Sequence, residues 1–591
     1  TEFSFNSTNS IDPAFRQLTQ GYFINDDYKV TPRLTLNLGL RYDLPGLRSE
    51  ARDRFRSFDP NAINPDVRLR GRRGAIAGAA GQGGVKAAYD TLIRQDRSNI
   101  GPRVGFAYSL NDQTVVRGGG GLFYAPVLYG TGGGGDINTG TIGYNTGSGA
   151  RTPDGRNARF FLSSYPSIPP VNPGGQFVFN DGGQDVQFFD PTYRTGRTIQ
   201  YSLDLQRQLP YNFAASIGYI GHKATRLRSD FGRLNALPIE ALRLGADLLG
   251  RNINALTAAD RTYAASVGFP LPANGDAVFQ GFNGTVAQSL RPFPQYRNIN
   301  NILESQGTSD YNALQLKLDR RFSSGIQFGA SYTFSKLLTD ASEDVLGGGR
   351  VNGILQFPND RGAQRTVSPN NPTHVFVVNY LLELPFGKGR RFLNRGGIVD
   401  KIVGGFQLSG IQRYQSGLPL AFFTTEGGAR GFLDLFGVGG NLRLNLTGQP
   451  ITLEGGRDQI ITRGQTPGVQ VLNPAAFAAP PFFGTNAPVG SQAYAAYYAN
   501  PQRFFGTAPA FLPNVRGDKF SSENISLLKK TRITETTTFE VGAEAFNIFN
   551  RTRFFLPTTD LSSTNFGFQS YIDDEDIYSP RVIQLRVRLI F

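Results

Sequence analysis

Cysteine, methionine and tryptophan are absent from this chain, and only two histidines occur in its 591 residues. Without cysteine there is no disulfide framework, zinc knuckle or thiol nucleophile. His222 and His374 leave metal and triad chemistry short of parts, and neither stands beside a recognised nucleophile motif. The composition therefore points away from an enzyme, and no cofactor is expected. No methionine opens the chain and no basic-then-apolar leader follows Thr1, so the expectation is a processed or cut terminus, with a cut favoured. No run of about 18 apolar residues occurs, which excludes a transmembrane helix. There is also no compact Lys/Arg block and no nucleic-acid motif, so nucleic acid is not an expected partner. The net charge of +14 reads as a scattered basic surface or as contact with anionic headgroups or ligands. The runs Gly118–Gly121 and Gly132–Gly135 lead into no GKS/T and no helix, so they are not phosphate cradles.

What the chain does have is period-two alternation. From Ile583 to the end, Ile583, Leu585, Val587, Leu589 and Phe591 alternate with Gln584, Arg586 and Arg588. In a strand these two sets point to opposite sides. One side is greasy and the other carries two arginines and an amide, the profile of a strand between lipid and a wet lumen.

The same unit recurs along the chain. Leu34, Leu36, Leu38, Leu40 and Tyr42 alternate with Thr35, Asn37, Gly39, Arg41 and Asp43. Strands of the same kind are predicted near Tyr22–Val30, Arg103–Leu110, Thr114–Tyr124, Ile199–Gln206, Phe213–Tyr219, Leu314–Phe322 and Ile326–Phe334. Further ones follow at Phe376–Leu384, Phe406–Tyr414, Lys519–Lys530, Thr537–Phe549 and Ile583–Phe591, about thirteen in all. His222 is expected to end a strand and His374 to open one. Strands of about ten residues suit a tilted crossing of a bilayer. Short turns alternate with long connections, which compact soluble domains rarely contain and which outer-membrane barrels place outside the cell. A propeller would instead show near-equal repeats of about 40 residues. The fold class is therefore all-β, an antiparallel up-and-down transmembrane β-barrel with long extracellular loops and short periplasmic turns.

Several phrases carry a family resemblance. They include GYFINDDYKVTPRLTLNLGLRYDLP from Gly21, NIGPRVGFAYSL from Asn99, TVVRGGGGLFYAP from Thr114 and YNALQLKLDRRFSSGIQFGASYTFSKLLTD from Tyr311. LELPFGKGRRF from Leu382, GGFQLSGIQRYQSGLPL from Gly404 and EAFNIFNRTRF from Glu544 complete the set. Together they resemble the Oar-like branch of TonB-dependent outer-membrane receptors, whose members often carry a carboxypeptidase-regulatory-like domain. Leu585, Val587, Leu589 and the terminal Phe591 resemble the assembly signal of outer-membrane barrels, read by the barrel-assembly machinery. The family's usual Trp after the double Asp is Tyr28 here, so Tyr and Phe must supply the interface girdles.

The resemblance implies a plug inside a 22-strand barrel, energised through the TonB energy-coupling complex. Only the barrel pattern is present here. The expectation is residues 1–20 as a loop or partial strand and residues 21–591 as the C-terminal barrel part, with plug and regulatory-like domain absent. What the resemblance implies is uptake of a bulky solute across the bacterial outer membrane. The alternatives are an Oar-like surface-interaction or secretion scaffold and a passive porin-like channel. The expected partners are outer-membrane lipid, the TonB complex through the missing plug, the assembly machinery and an extracellular ligand of unknown identity.

Alternation puts Arg41, Asp43, Arg103, Asp204, Lys317, Asp319, Arg321, Glu540, Glu544, Arg586 and Arg588 on the polar face. They either hold the plug and line the solute path or pair across strands to satisfy a wet interior. A pair between Glu540 and Arg588 is expected. The run Asp573, Asp574, Glu575 and Asp576 is a weak candidate for a divalent cation, but it lacks the spacing of a calcium loop and reads as a solvated acidic tip. The basic segment with Lys388, Arg390, Arg391, Arg395 and Lys401 belongs at the periplasmic face, where it touches headgroups or water. Aromatic patches at Phe482-Phe483, Tyr494–Tyr498 and Phe504-Phe505 either form a receptor surface or pack within the loops.

Overall fold

The computed structural model describes residues 2–9, 14–53, 55–79, 85–125, 144–151, 186–229, 234–341, 361–425, 429–436, 441–464, 466–571 and 580–591. Thirteen long strands form one antiparallel meander, with Thr366–Val367 attached beside it. They are β1 (Gln20–Thr31), β2 (Leu34–Leu44), β3 (Ile100–Asn111), β4 (Thr114–Tyr124), β5 (Arg197–Leu209), β6 (Phe213–Leu227) and β7 (Gly307–Ser323). The rest are β8 (Ile326–Thr339), β9 (His374–Glu383), β10 (Phe406–Gln415), β11 (Phe520–Arg532), β12 (Thr538–Phe546) and β13 (Val582–Ile590). Each strand from β2 to β12 pairs with the strand before it and the strand after it. β1 and β13 are the two edges, and neither has a second partner among the described residues. No described residue before Gln20 joins the meander. Glu2–Asn9 pairs with Tyr144–Arg151, and Phe15–Gln17 pairs with Arg48–Glu50.

Local chemistry explains the tight turns. Thr31 Oγ1 accepts from the backbone N–H of Arg33 and Leu34 and closes β1–β2. Ser324 and Gly325 both have positive φ, 52° and 77°, so the β7–β8 turn twists with its strands. Thr534 Oγ1 accepts from Thr537 N–H at 2.9 Å in the β11–β12 turn. The β9–β10 link is longer and holds a short helix, Ile398–Val403. These connections all lie at one end of the sheet. The connections β2–β3, β4–β5, β6–β7, β8–β9, β10–β11 and β12–β13 lie at the other end, and all are long.

Register carries the two faces across the whole sheet. Leu36 stands opposite Tyr28 and Phe106. Leu203 stands opposite Gly118 and Tyr219, and Leu316 opposite Ile217 and Tyr332. Val541 stands opposite Lys529 and Val587. Glycines make room for rings on this face: a Cβ at Gly118 would sit 2.6 Å from the Phe106 ring, and one at Gly221 2.5 Å from that of Tyr201. The large apolar residues here are exposed, with Val104 at 57%, Leu203 at 53% and Leu585 at 78%. On the opposite face Glu540 is only 6% exposed. Greasy side chains outside and charged ones inside is the reverse of a water-soluble sheet, and it fits lipid as the surrounding solvent. Asp26, Gln412, Glu523 and Lys529 are among the polar exceptions on the apolar face. Glu523 is fully buried beneath Arg551, whose Nε donates to it at 2.7 Å.

Three sequence expectations need correction. The strand expected over Thr537–Phe549 stops at Phe546, where Asn547 takes a positive φ of 48° and its N–H turns to Asn524 Oδ1. His222 lies inside β6, which continues to Leu227, and its ring stacks on Tyr311. The connections read as loops contain helices and small sheets with hydrophobic cores of their own.

Val587 lies about 10 Å from the short-turn end along the membrane normal, at a rise of about 3.4 Å per residue and a tilt near 40°. Val587→Arg should therefore cost about 2–4 kcal/mol. Refolding titrations read by heat-modifiable mobility should show this loss, while Gln584→Arg on the other face stays within about 1 kcal/mol. Equal effects of the two changes would mean that the faces are assigned the wrong way round.

Candidate functional site

Two regions of the molecule can meet a solute: the polar face of the meander and the cap built by the long connections above it.

The polar face is assembled by register. Arg41 stands opposite Phe23 and Gly101, and Arg103 opposite Gly39 and Gly121. Asp204 stands opposite Arg117 and Gly218, and Lys317 opposite Ser216 and Ser331. Glu540 faces Lys530 and Arg588, and Glu544 faces Ser526 and Gln584. Arg41, Asp43, Arg103, Asp204, Lys317, Asp319, Glu540, Glu544, Arg586 and Arg588 thus share one side. Arg321 follows Asp319 by alternation, just before the irregularity that ends β7.

Much of this charge is paired locally. Arg41 Nε donates to Asp43 at 2.8 Å, and Lys317 Nζ to Asp319 at 2.8 Å, each two residues along the same strand. Arg586 reaches Glu544 at 3.6 Å across β12–β13. Glu540 and Arg588 are register partners, as expected, but the ion pair recorded for Glu540 is with Lys530 on the other side, at 3.4 Å. The Arg103 guanidinium stands 4.5 Å from the centroid of the Phe123 ring. Sequence reasoning missed that this face is partly apolar. Val375 and Val377 of β9, Ile411 of β10 and Phe23 of β1 all lie on it. Phe23 is 68% exposed and Ile411 59%. The near-continuous apolar run HVFVVNYLL was the available signal for β9.

The cap is folded like a soluble protein. Its largest core joins the β6–β7 connection to the β10–β11 connection through Leu242, Leu244, Leu248, Tyr263, Phe432, Tyr494 and Tyr498. Tyr494 OH donates to Leu244 O at 2.8 Å, and Tyr498 OH accepts from Ala246 N–H at 3.2 Å. Both rings crowd Gly245 (φ 78°), where a Cβ would meet them within 2.5 Å. The helix Ala258–Ser266 starts on a capping box between Thr257 and Asp260, and Arg251 bonds that carboxylate at 2.8 Å. A second core around Phe422, Phe477 and Phe566 joins the β10–β11 and β12–β13 connections. Most of the aromatic patches are therefore packing residues: Tyr494, Tyr498 and Phe504 are fully buried, and Phe482 remains exposed. A cleft of about 290 Å³ lies in the cap between Leu453, Arg457, Leu472, Arg516 and Gln569. Arg457 there is ion-paired to Asp518, and Arg516 Nη1 donates to Asn371 O and Gly417 O.

Among the described residues no three His, Cys, Asp or Glu side chains converge as metal ligands. Asp573, Asp574, Glu575 and Asp576 lie outside the described residues. At the opposite end, the basic segment Lys388–Lys401 forms the β9–β10 link, where Arg390 pairs with Glu383 at 2.6 Å. Phe591 is 93% exposed at the same end.

Alternating strands, an exposed apolar belt and long connections gathered at one end define an integral outer-membrane β-sheet protein. The chain matches the outer membrane beta barrel domain family over residues 2–584 and belongs to it. It is an integral protein of the bacterial outer membrane. No curated protein matches the chain. Among solved structures it is similar to the pyoverdine outer membrane receptor FpvA from Pseudomonas aeruginosa PAO1 bound to pyoverdine, at 11% identity and a TM-score of 0.36, covering 98% of this chain and 43% of that one. The ferric citrate transporter FecA is similar at 8% identity and a TM-score of 0.37, with 98% and 46% covered. The outer membrane transporter YddB from Escherichia coli matches at 10% identity and a TM-score of 0.37, with 98% and 54% covered. The chain thus spans about half the length of these proteins, and likeness at this level carries nothing about ligand.

Two tests of the cap follow. Tyr494→Ala should cost about 3–5 kcal/mol of local stability, read as faster proteolysis or hydrogen exchange of residues 234–290 and 486–506, with the strands unaffected. Acid should loosen other parts of the cap, around Asp96 and Asp560. Burial alone would raise the Asp96 and Asp560 carboxyls. Donors from Ser98 and Thr195 at Asp96, and from Ser562 and Thr425 at Asp560, outweigh it and hold both below the usual carboxylate range. Each bond set ties two different connections together. A depressed carboxylate contributes stability above its unfolded value, near 4, that is lost as pH falls through the folded value. Cap proteolysis should thus accelerate below about pH 4, and Asp560→Asn should remove part of that dependence.

Proposed function

We propose that this chain is barrel sequence of a TonB-dependent receptor of the Oar-like type, which takes up a bulky solute through a plugged lumen. The observation that carries this reading is the exposed apolar surface opposite the lipid. Phe23 and Ile411 stand open there, among the charges of the polar face. A water-filled pore would leave them wet at a cost of about 25 cal/mol per Å², whereas a plug domain would cover them. The edges of β1 and β13 favour the same reading. Unpaired strand edges cannot face hydrocarbon, so the membrane form needs partners for both, as in a barrel with more strands than these thirteen. In this reading the named charges of the polar face hold the plug and line the path, and the cap selects the ligand. Partners are then outer-membrane lipid, the barrel-assembly machinery at the Phe591 end, and the TonB complex acting on the plug.

The test uses the protein purified from its native outer membrane. In planar bilayers it should give no steady conductance, and it should bind the periplasmic domain of TonB. Steady open conductance would support the porin-like alternative. A closed protein that ignores TonB would support the scaffold alternative.

A further inference from the structure

The apolar face of β5–β8 ends, on the long-loop side, in a cluster of cations. Register places Arg197 of β5 opposite Tyr124 and Thr225, and Lys223 of β6 opposite Ile199 and Asp310, all on the apolar side. Lys336 of β8 stands opposite Asn312 on the same side. Two arginines of the β8–β9 connection join them. Arg365 pairs with Asp310 and donates to Thr308 Oγ1 at 3.1 Å, and Arg361 pairs with Asp340 at 2.9 Å. Among the described residues five cations thus meet two carboxylates, and Lys223 and Lys336 are both exposed.

Their height is set by the strands. Lys223 lies ten residues above Phe213, the first residue of β6, and Lys336 lies ten residues above Ile326, the first residue of β8. Ten residues at a rise of about 3.4 Å and a tilt near 40° rise about 26 Å. That is the thickness of the apolar band, so both ammonium groups stand at its outer boundary. Beneath them lies an interface layer of phenols. Tyr201 and Tyr219 donate to Asn312 Oδ1 at 3.2 and 2.6 Å, and Tyr332 meets His374 Nδ1 at 2.7 Å. Leu203, Leu314, Leu316 and Phe334 continue the surface below. Elsewhere the outer rim of this face presents no such excess of cations: Tyr42 stands on β2, Leu122 on β4 and Tyr414 on β10, and Glu523 on β11 is neutralised by Arg551.

We propose that this rim binds a phosphorylated glycolipid of the outer leaflet. Its acyl chains lie along the Leu and Phe surface of β5–β8, and its headgroup phosphates are held by Lys223, Lys336, Arg197 and the two arginines. Asp310 and Asp340 orient the arginine forks, leaving a net positive rim on a surface that only a membrane-borne ligand can reach along its whole length. Arginine forks match phosphate oxygens, and the lysine stems reach from the apolar band to the headgroup level.

The test compares wild type with Lys223→Gln/Lys336→Gln, alone and with Arg197→Gln, extracted from outer membranes in mild detergent. Co-purified lipid A is quantified by mass spectrometry, and rebinding is measured with bisphosphorylated and dephosphorylated lipid A. Wild type should retain the phosphorylated lipid, and the variants should bind it about 10- to 100-fold more weakly. Dephosphorylated lipid should bind both weakly, and millimolar inorganic phosphate should not displace the bound lipid. Lys388→Gln/Arg391→Gln at the other end should behave as wild type, and unchanged heat-modifiable mobility reports intact folding. Equal retention by wild type and the rim variants would overturn the proposal, as would equal binding of the dephosphorylated lipid. Displacement by inorganic phosphate would assign the rim to a free anion instead.

Discussion

Everything here rests on one constraint: in hydrocarbon each backbone N–H and C=O must find its partner inside the protein. Between its two edges a meander meets it with the least chain, because each inner strand is paired by its neighbours in sequence and tight turns are closed by local groups such as Thr31, Ser324-Gly325 and Thr534. The ladder then dictates the rest. Once register is set, alternate residues have no choice of side, and a slip by one residue would carry Arg586 and Arg588 into lipid.

The same rule sorts the chemistry by solvent. Leu203, Val541 and Val587 are exposed because their surroundings are apolar, while Glu540, Glu544 and Asp43 sit among cations on the sheltered side. Above the membrane the logic reverts to that of a water-soluble protein. Tyr494, Tyr498 and Phe504 go inside, Thr257 and Asp260 cap a helix, and the carboxylates of Asp96 and Asp560 tie one connection to the next. The rim of β5–β8 is where these regimes meet, and it is there that lysines and arginines gather on the lipid side.

The glycine-rich segments belong to the same account. Gly118 and Gly221 accommodate the rings of Phe106 and Tyr201, and Gly245 accommodates Tyr494 and Tyr498. The space each glycine leaves is filled by an aromatic side chain of a neighbouring element.

The strands, their two faces and the gathering of long connections at one end were legible in the sequence. Period-two alternation is a local property that short windows carry, and Ile583–Phe591 alone displays it. The polar-face positions were legible for the same reason, since facing follows from alternation without knowledge of the neighbour. Which charges meet was not. Glu540 stands opposite both Arg588 and Lys530 and reaches for Lys530, a choice set by rotamers and by the second neighbouring strand. Nor were the apolar residues of the polar face, the burial of Tyr494 against a segment some 250 residues earlier, or the meeting of Lys223, Lys336 and Arg365. Those depend on contacts between distant segments, and only the folded chain brings such segments together.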